Sequence, residues 1–249
     1  LVDAGLGCPD WPGCYGFISV PVTSEDVQIA QEAFPHAPVE TDKALAEMIH
    51  RYFAGTLGLL ILSLSLLALV NRKDKAQPVF LPLVLLAVVC FQAALGMWTV
   101  TLGLLPVVVM GHLLGGFTSI SLLLLLFLRL RQNIVKPVYN PLKVLTAVGL
   151  LVVSLQVTLG GWTSANYAAI ICTDFPTCQG AMVPPLDFPG AFQISTEGVT
   201  NHVGGLLGND DRVTIHWMPR LCALISTLFI AFLAFSLFVI GRCPYFMII

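Results

Sequence analysis

The segment Cys8-Pro9-Asp10-Trp11-Pro12-Gly13-Cys14 has a second version 164 positions later, Cys172-Thr173-Asp174-Phe175-Pro176-Thr177-Cys178. Both read Cys-x-Asp-aromatic-Pro-x-Cys, and they agree at five of seven positions. Agreement at that level, with cysteine at both ends, is not expected by chance. The chain is therefore interpreted as two copies of one structural unit.

Around these segments the sequence is strongly apolar. Hydrophobic residues make up 57% of the chain and charged residues 10%, and the mean hydropathy is +0.87. A soluble domain carries roughly 25% charged residues, so this composition excludes a soluble globular protein. Because a backbone in hydrocarbon must satisfy its own hydrogen bonds, an all-α polytopic membrane protein is predicted. A spanning helix needs about 20 apolar residues, and such stretches lie near 47–71, 78–102, 106–130, 141–163 and 212–240.

Basic residues are distributed unevenly between the two sets of loops. One set carries Arg72, Lys73, Lys75, Arg129, Arg131, Lys136, Lys143 and Arg242. The opposite loops and helix starts carry Lys43, Arg51, Arg212 and Arg220. The positive-inside rule places the first set in the cytoplasm or the mitochondrial matrix. The long loops at about 1–46 and 164–211 are then expected on the periplasmic or intermembrane side.

Both cysteine pairs fall in those outer loops, where an oxidising compartment permits disulfides. Bridges Cys8–Cys14 and Cys172–Cys178 are predicted, with redox-active or metal-binding thiols as the alternative. The other cysteines are interpreted as packing residues or incidental thiols: Cys90, Cys222 and Cys243.

The repeat extends into the predicted helices. One helix ends in Gln92-Ala-Ala-Leu-Gly-Met-Trp-Thr99 and another in Gln156-Val-Thr-Leu-Gly-Gly-Trp-Thr163. In the register of the repeat, Glu47, His50 and Arg51 correspond to His216, Pro219 and Arg220.

Two histidines, His50 and His112, are placed near the outer ends of two helices that run in the same direction. Ionisable residues within a membrane are costly and usually functional. Two histidines at one depth on facing helices are how a four-helix bundle holds a haem through axial nitrogens. Small residues follow both histidines and leave room for a flat macrocycle: Ala54, Gly58, Gly115, Gly116 and Ser119. The alternative is a pair of interfacial histidines beside ordinary helix contacts.

Charged residues accompany this pair. Glu47 lies one helical turn before His50, where a carboxylate moves protons or stabilises positive charge, or simply favours the helix N-terminus. Arg51 and Arg220 suit haem propionates, or they snorkel to the interface. His36 and His202 are interpreted as ordinary loop residues.

These motifs, taken in order, resemble the heme A synthase family of bacterial and mitochondrial inner membranes. The residues that carry the resemblance are Cys8 to Cys14, Glu47-x-x-His50-Arg51, Gly111-His112, Cys172 to Cys178 and Ile215-His216-Trp217. The resemblance extends to about residue 235. It implies two four-helix bundles related by pseudo-twofold symmetry. It also implies oxidation of the C8 methyl of heme O to a formyl group, for assembly of haem–copper terminal oxidases.

The resemblance also implies the roles of individual residues. His50 and His112 would ligate the substrate haem, Glu47 would assist its oxidation, and Cys8–Cys14 would lie above it. The C-terminal bundle would hold a haem b, and haem iron is the only metal expected. The chain then divides into an outer loop (1–46), an N-terminal bundle (47–130), a cytoplasmic linker (131–140) and a partial C-terminal bundle (141–249) with its outer loop (164–211).

The chain departs from the family pattern at its ends and at one ligand position. The first helix and the last two helices of the pattern are absent, so a fragment or a truncated or frameshifted product is expected, as an incomplete or inactive form. Pro219 stands where the family has a ligand histidine. His216, three residues earlier, is a candidate to substitute as the haem-iron ligand. Because proline suits a first helical turn, a helix that began near Met218 would leave His216 before the helix and off its inner face.

Two other functions remain as alternatives: a non-enzymatic bis-histidine membrane cytochrome, and a haem carrier or assembly factor. The ligand candidates all lie at the outer boundary, which argues against transmembrane electron relay. The partners expected are heme O, heme O synthase, membrane lipid and a second copy of the chain, with no nucleic acid. The sequence does not identify the electron donor.

Overall fold

The structure is a computed structural model that describes residues 6–74, 77–131, 140–194, 199 and 201–240. Within those ranges the chain forms helices and no strand, apart from two isolated bridges, Cys14 to Phe17 and Cys178 to Ala181. In chain order the helices are α1 (Ser24–Ala33), α2 (Thr41–Val70), α3 (Phe80–Thr101), α4 (Pro106–Leu130), α5 (Asn140–Ala165), α6 (Phe188–Ala191) and α7 (Asn209–Ile240).

Five of these helices are long and apolar enough to cross a membrane: α2, α3, α4, α5 and α7. The prediction of an all-α polytopic membrane protein is confirmed. The starts of two helices differ from the prediction. Helix α2 begins at Thr41 rather than at 47, because Ala44, which precedes the apolar stretch, is helical and packs against the preceding loop.

The chain separates into two compact units. The first comprises Leu1–Asn133 with Glu197–Val203, and the second comprises Ile134–Thr196 with Gly204–Ile249. Helices α2, α3 and α4 belong to the first unit, and α5, α6 and α7 to the second.

Helices α2 to α4 pack through an apolar core at the end of the helices away from the cysteine loop. Ile61, Leu85 and Leu126 are almost fully buried there. Ser65 on α2 donates its hydroxyl to the carbonyl of Pro82 on α3 at 2.9 Å. A hydrogen bond between helices of this kind contributes more than dispersion alone where hydrocarbon surrounds the pair.

The first cysteine loop packs onto the start of α2. Cys8 and Cys14 are joined by a disulfide and are fully buried with Tyr15 and Ala44. The short helix α1 closes this core, and the side chain of Thr23 caps its N-terminus by accepting the N–H of Asp26. The loop is therefore an ordered cover on one end of the helices.

The second unit contains a proline inside a long helix. Helix α7 begins at Asn209, so Pro219 lies in its interior and His216 lies on the helix. A start near Met218, which would have left His216 before the helix, is not what the structure shows. Proline removes the N–H that would bond the carbonyl of Ile215, but Thr163 of α5 places its hydroxyl oxygen 3.2 Å from that carbonyl. A partner from another helix therefore lets α7 continue through the proline.

Candidate functional site

The two histidines predicted to face one another do meet. His50 on α2 and His112 on α4 have ring centroids 6.3 Å apart and an interplanar angle of 81°. Their sequence separation shows that only the packing of the helices brings them together. The cysteine loop covers the same end of α2, so the pair lies at the loop end of the first unit.

The geometry of this pair fits two axial ligands of one iron. A metal–imidazole bond is about 2 Å long, so two rings bound to one ion through Nε2 have centroids about 6 Å apart. The Nδ1 of His112 is buried and has no hydrogen-bond partner among the described residues. Neutral imidazole nitrogens are the donors that haem iron takes from such bundles. The residues of the first unit therefore fit a haem.

Glycines bring the neighbouring helices close to His112. A Cβ placed on Gly96 of α3 would lie 3.3 Å from Cε1 of His112, so the ring rests directly on the α3 backbone. The carboxamide of Gln92, one turn earlier on α3, lies across Gly115, where a Cβ would collide with it. Its Nε2 donates to the backbone carbonyl of His112 at 2.7 Å.

Glu47 and Arg51 form a nearly buried ion pair on the turn of α2 next to His50. Their side chains expose 10% and 13% of their surface, and Nη2 of Arg51 donates to Oε1 of Glu47. The other carboxylate oxygen of Glu47 accepts the N–H of Cys8 at 3.0 Å. These contacts hold both side chains in place. Removing one member of a buried ion pair costs about 3–5 kcal/mol, because the other charge is left unpaired.

Arg51 also holds the cysteine loop. Its Nη1 donates to the carbonyls of Asp10 at 3.0 Å and Pro12 at 3.2 Å, and also to that of Gly13. The loop, the carboxylate and the arginine therefore form one connected network beside His50.

The second cysteine loop repeats this arrangement around Arg220. Its Nη1 donates to the carbonyls of Asp174 and Thr177 at 2.9 Å each, and its Nη2 to that of Cys172 at 3.1 Å. The Cys172–Cys178 disulfide is present, as predicted. Arginine suits this task because its fork of donors reaches several carbonyls at once.

The aspartates of the two cysteine loops accept equivalent pairs of backbone N–H groups. Asp10 accepts the N–H groups of Tyr15 and Gly16, and Asp174 those of Gln179 and Gly180. Hydrogen bonds from the side chain of Thr177 and then from the N–H of Gly180 lower the pKa of Asp174 to about 2. The shared sequence pattern thus encodes a shared hydrogen-bonded turn.

Tyr15, in the first cysteine loop, has a phenol whose pKa is raised. Burial, followed by the nearby carboxylates of Glu40, Glu47 and Asp10, raises the pKa of its phenol. The hydroxyl remains protonated and donates to the carbonyl of Pro38 at 2.9 Å. Tyr15 is therefore a neutral structural donor.

The second unit lacks a matching pair of histidines. Of the five histidines in the sequence, only His216 falls within residues 134–196 and 204–249. Its Nδ1 lies 2.7 Å from the carbonyl of Ala168. The equivalent of His50 is Pro219, so the second unit offers one imidazole and does not fit a bis-histidine haem of its own.

The other described histidines and cysteines singled out in the sequence are not part of the pair of His50 and His112. His202 is buried, and both its backbone N–H and its Nδ1 lie against the carbonyl of Gly103, at 2.8 and 3.2 Å. His36 is exposed, as is Cys90. Cys243 lies outside the described residues, and no group of three metal-ligating side chains occurs within them.

The sequence analysis does not identify two residues that hydrogen-bond between helices. Gln92 and Thr163 were recognised as parts of a shared motif, yet their roles depend on partners in another helix. The signal was present in the motif itself, because a glutamine and a threonine in apolar helices need hydrogen-bond partners.

The fold and the site together define a polytopic all-α membrane protein with a histidine pair suited to an iron porphyrin. A sequence profile described as "Cytochrome oxidase assembly protein" matches residues 1–246 of the chain. The chain therefore belongs to this family.

Two relatives carry the same name. The chain is 48% identical over 243 residues to the heme A synthase of Shewanella oneidensis, covering 96% of this chain and 72% of the relative. It is 24% identical over 190 residues to the heme A synthase of Shouchella clausii, covering 73% of this chain and 57% of that relative. No solved structure matches the chain.

Proposed function

We propose that this chain is a heme A synthase, an oxidoreductase that converts the C8 methyl of heme O into a formyl group for haem–copper terminal oxidases. The observation that carries the proposal is the 6.3 Å separation of the rings of His50 and His112. The 48% identity to a heme A synthase over most of the chain supports it independently.

In this proposal the haem supplies the redox chemistry, and the protein supplies ligation, orientation and charge. His50 and His112 would hold the iron of heme O. Glu47 holds or moves a proton near the reacting edge of the ring, since it lies one turn from His50.

Arg51 and Arg220 contribute positive charge near propionates. Arg220 forms no ion pair with a described residue, and the neutral carbonyls that it contacts leave its charge in place. Arg51 is partly neutralised by Glu47.

The haem b expected in the C-terminal unit would take one ligand from that unit. His216 is the only imidazole that the unit supplies, and its Nδ1 lies against a backbone carbonyl. Its Nε2 would be the nitrogen to bind iron there. No catalytic step is assigned to that group.

The location and partners follow from the reaction. The chain would lie in the bacterial cytoplasmic or mitochondrial inner membrane, with both cysteine loops on the outer side. Heme O synthase makes the substrate and is the expected neighbour. A second copy of the chain is a further proposed partner.

The test is haem extraction and chromatography after expression of the chain with a supply of heme O. Heme A in the extract is the expected result. Heme O or heme B alone, with a bis-histidine absorption spectrum, would contradict the synthase and favour a non-enzymatic cytochrome or carrier.

The same assay tests Glu47. Glu47→Gln keeps an acceptor for the N–H of Cys8 but loses the charge, so turnover should fall further than haem content. Arg51→Gln is the comparison, because it releases the loop and leaves the carboxylate. Equal losses of turnover and haem content in both variants would show that Glu47 acts only through the loop.

A further inference from the structure

The imidazole ring of His112 lies on a glycine of the neighbouring helix. A Cβ built on Gly96 of α3 would lie 3.3 Å from Cε1, 3.8 Å from Nδ1 and 4.0 Å from Nε2 of His112. Carbon atoms in ordinary contact are about 3.5–4.0 Å apart, so the shortest of these distances is a collision rather than a contact. A side chain at position 96 would therefore have to displace the imidazole.

The same turns of α3 and α4 also interlock in the other direction. A Cβ built on Gly111 of α4 would lie 3.7 Å from a methyl group of Leu95, which is buried. Leu95 and Gly96 on α3 thus face Gly111 and His112 on α4, and each large side chain lies on the glycine of the other helix. Glycine permits this close approach of two helices.

The backbone of His112 is held as well. Nε2 of Gln92 on α3 donates to its carbonyl at 2.7 Å. Since both the backbone and the neighbouring Leu95 tie α4 to α3, a collision at Gly96 would be relieved mainly by rotation of the imidazole.

Helix α3 is the common support of the two histidine-bearing helices. Among the described residues, α2 and α4 each pack against α3 and not against each other. The rings of His50 and His112 nevertheless lie 6.3 Å apart at 81°. The orientation of His112 relative to His50 therefore depends on the surface of α3 on which its ring lies.

The second unit provides an internal comparison. Gly160 of α5 occupies the same place in the repeated Gln-x-x-Leu-Gly-x-Trp-Thr motif. A Cβ built on Gly160 would meet no described atom within 4 Å. The two glycines thus share their helical setting, and only Gly96 has an imidazole against it.

We infer that Gly96 is a positioning residue for His112: its lack of a side chain sets the orientation in which the imidazole is presented to haem iron. This inference rests on the proposed function, since it takes His112 as a haem ligand. A functional group of this kind must be held within about 0.5 Å and 10–20° of its working geometry. A methyl group at position 96 would exceed that tolerance.

The experiment compares Gly96→Ala and Gly96→Val with Gly160→Ala and Gly160→Val in the full chain purified with heme O. One readout is the electron paramagnetic resonance spectrum of the ferric haem, which responds to the angle between the planes of two axial imidazoles. The other is the haem-to-protein ratio. Gly96→Ala should shift the spectrum, and Gly96→Val should shift it further and lower haem content about tenfold or more, as expected when the orientation of a metal ligand is lost.

The matched variants separate positioning from helix packing. Gly160→Ala and Gly160→Val make the same changes in the equivalent helix and should alter neither readout. In the His112→Ala background the ring is gone, so Gly96→Ala should cause no further loss of haem. The inference is overturned if Gly96→Val matches Gly160→Val in both readouts, or if Gly96→Ala lowers haem content by the same factor with and without His112.

The outcomes also distinguish the inference from the proposed function. A spectrum shifted only by the Gly96 variants, in a chain that yields no heme A, would support the role of Gly96 and overturn only the synthase. Heme A production with Gly96 and Gly160 variants that behave alike would do the reverse. A chain that retains no haem would overturn both.

Discussion

His50 and His112 are the residues on which the functional assignment depends. Replacing either with alanine would remove one of two iron ligands, so haem content should fall at least about tenfold, since even changes to residues that hydrogen-bond a metal ligand reach that size. The measurement is the haem-to-protein ratio of the purified chain. His36→Ala is the control, because His36 is an exposed loop residue. Unchanged haem content in both ligand variants would refute the assignment.

Asp174 provides a test that depends on pH. Its pKa is lowered from 3.8 to about 2 in the folded protein, chiefly by the side chain of Thr177. A group whose folded pKa is lowered stabilises the fold above its unfolded pKa and loses that effect as pH falls through the folded pKa. The contribution of Asp174 to the second cysteine loop should thus be complete above about pH 4 and disappear near pH 2.

Hydrogen exchange of residues 172–181, measured by mass spectrometry, checks this expectation. At pH 5 the amides of Gln179 and Gly180 should exchange more slowly in the unchanged chain than in Asp174→Asn, after correction for intrinsic rates. The difference should vanish as pH approaches 2. A difference that persists unchanged at pH 2 would mean that the carboxylate charge does not hold the turn.

Among whole elements, helix α7 shows how tertiary contacts override a local rule. Proline in a helix interior ordinarily costs about 3 kcal/mol or more, and Pro219 lies well inside α7. The hydroxyl of Thr163, which also lies 2.8 Å from the carbonyl of Leu159 on its own helix, reaches the freed carbonyl of Ile215. A threonine on one helix thus compensates for a proline on another.

A double-mutant cycle tests this compensation. Thr163→Val should lower the free energy of unfolding by about 1–2 kcal/mol, because a buried carbonyl loses its partner. In the Pro219→Ala background that cost should shrink, since a backbone N–H is restored to the carbonyl. Thr158→Val is the control, as the hydroxyl of Thr158 bonds only to Ser154 of its own helix. Equal costs in both backgrounds would contradict the explanation.

The cysteine loops are elements whose sequence pattern translates directly into structure. Each aspartate accepts two N–H groups from the residues after the second cysteine, and each loop is held by one arginine of the following long helix. The similar turn formed by the two aspartates could be predicted from the repeat, because its hydrogen bonds join residues close in sequence. The arginine contacts could not, because Arg51 lies 41 residues from Asp10 and Arg220 lies 46 from Asp174.

For the whole molecule, the charge distribution predicts an orientation. Alkaline phosphatase is active only outside the cytoplasm, so a fusion after Arg72, between α2 and α3, should be inactive in a bacterial host. A fusion after Leu104, between α3 and α4, should be active. The measurement is enzyme activity per amount of fusion protein. The opposite pattern would place the cysteine loops in the cytoplasm and remove the basis for expecting disulfides in the cell.

The sequence by itself determined the membrane class, the five long helices, the internal repeat and the candidate ligands. These features depend on local hydrophobicity, helix length and residue type, which are readable along the chain. The tertiary structure decided which polar groups meet: His50 with His112, Gln92 with a carbonyl 20 residues away, and Thr163 with one 52 residues away. The physical reason is that a buried polar group takes whichever partner helix packing brings within reach, and that packing is a property of several helices at once.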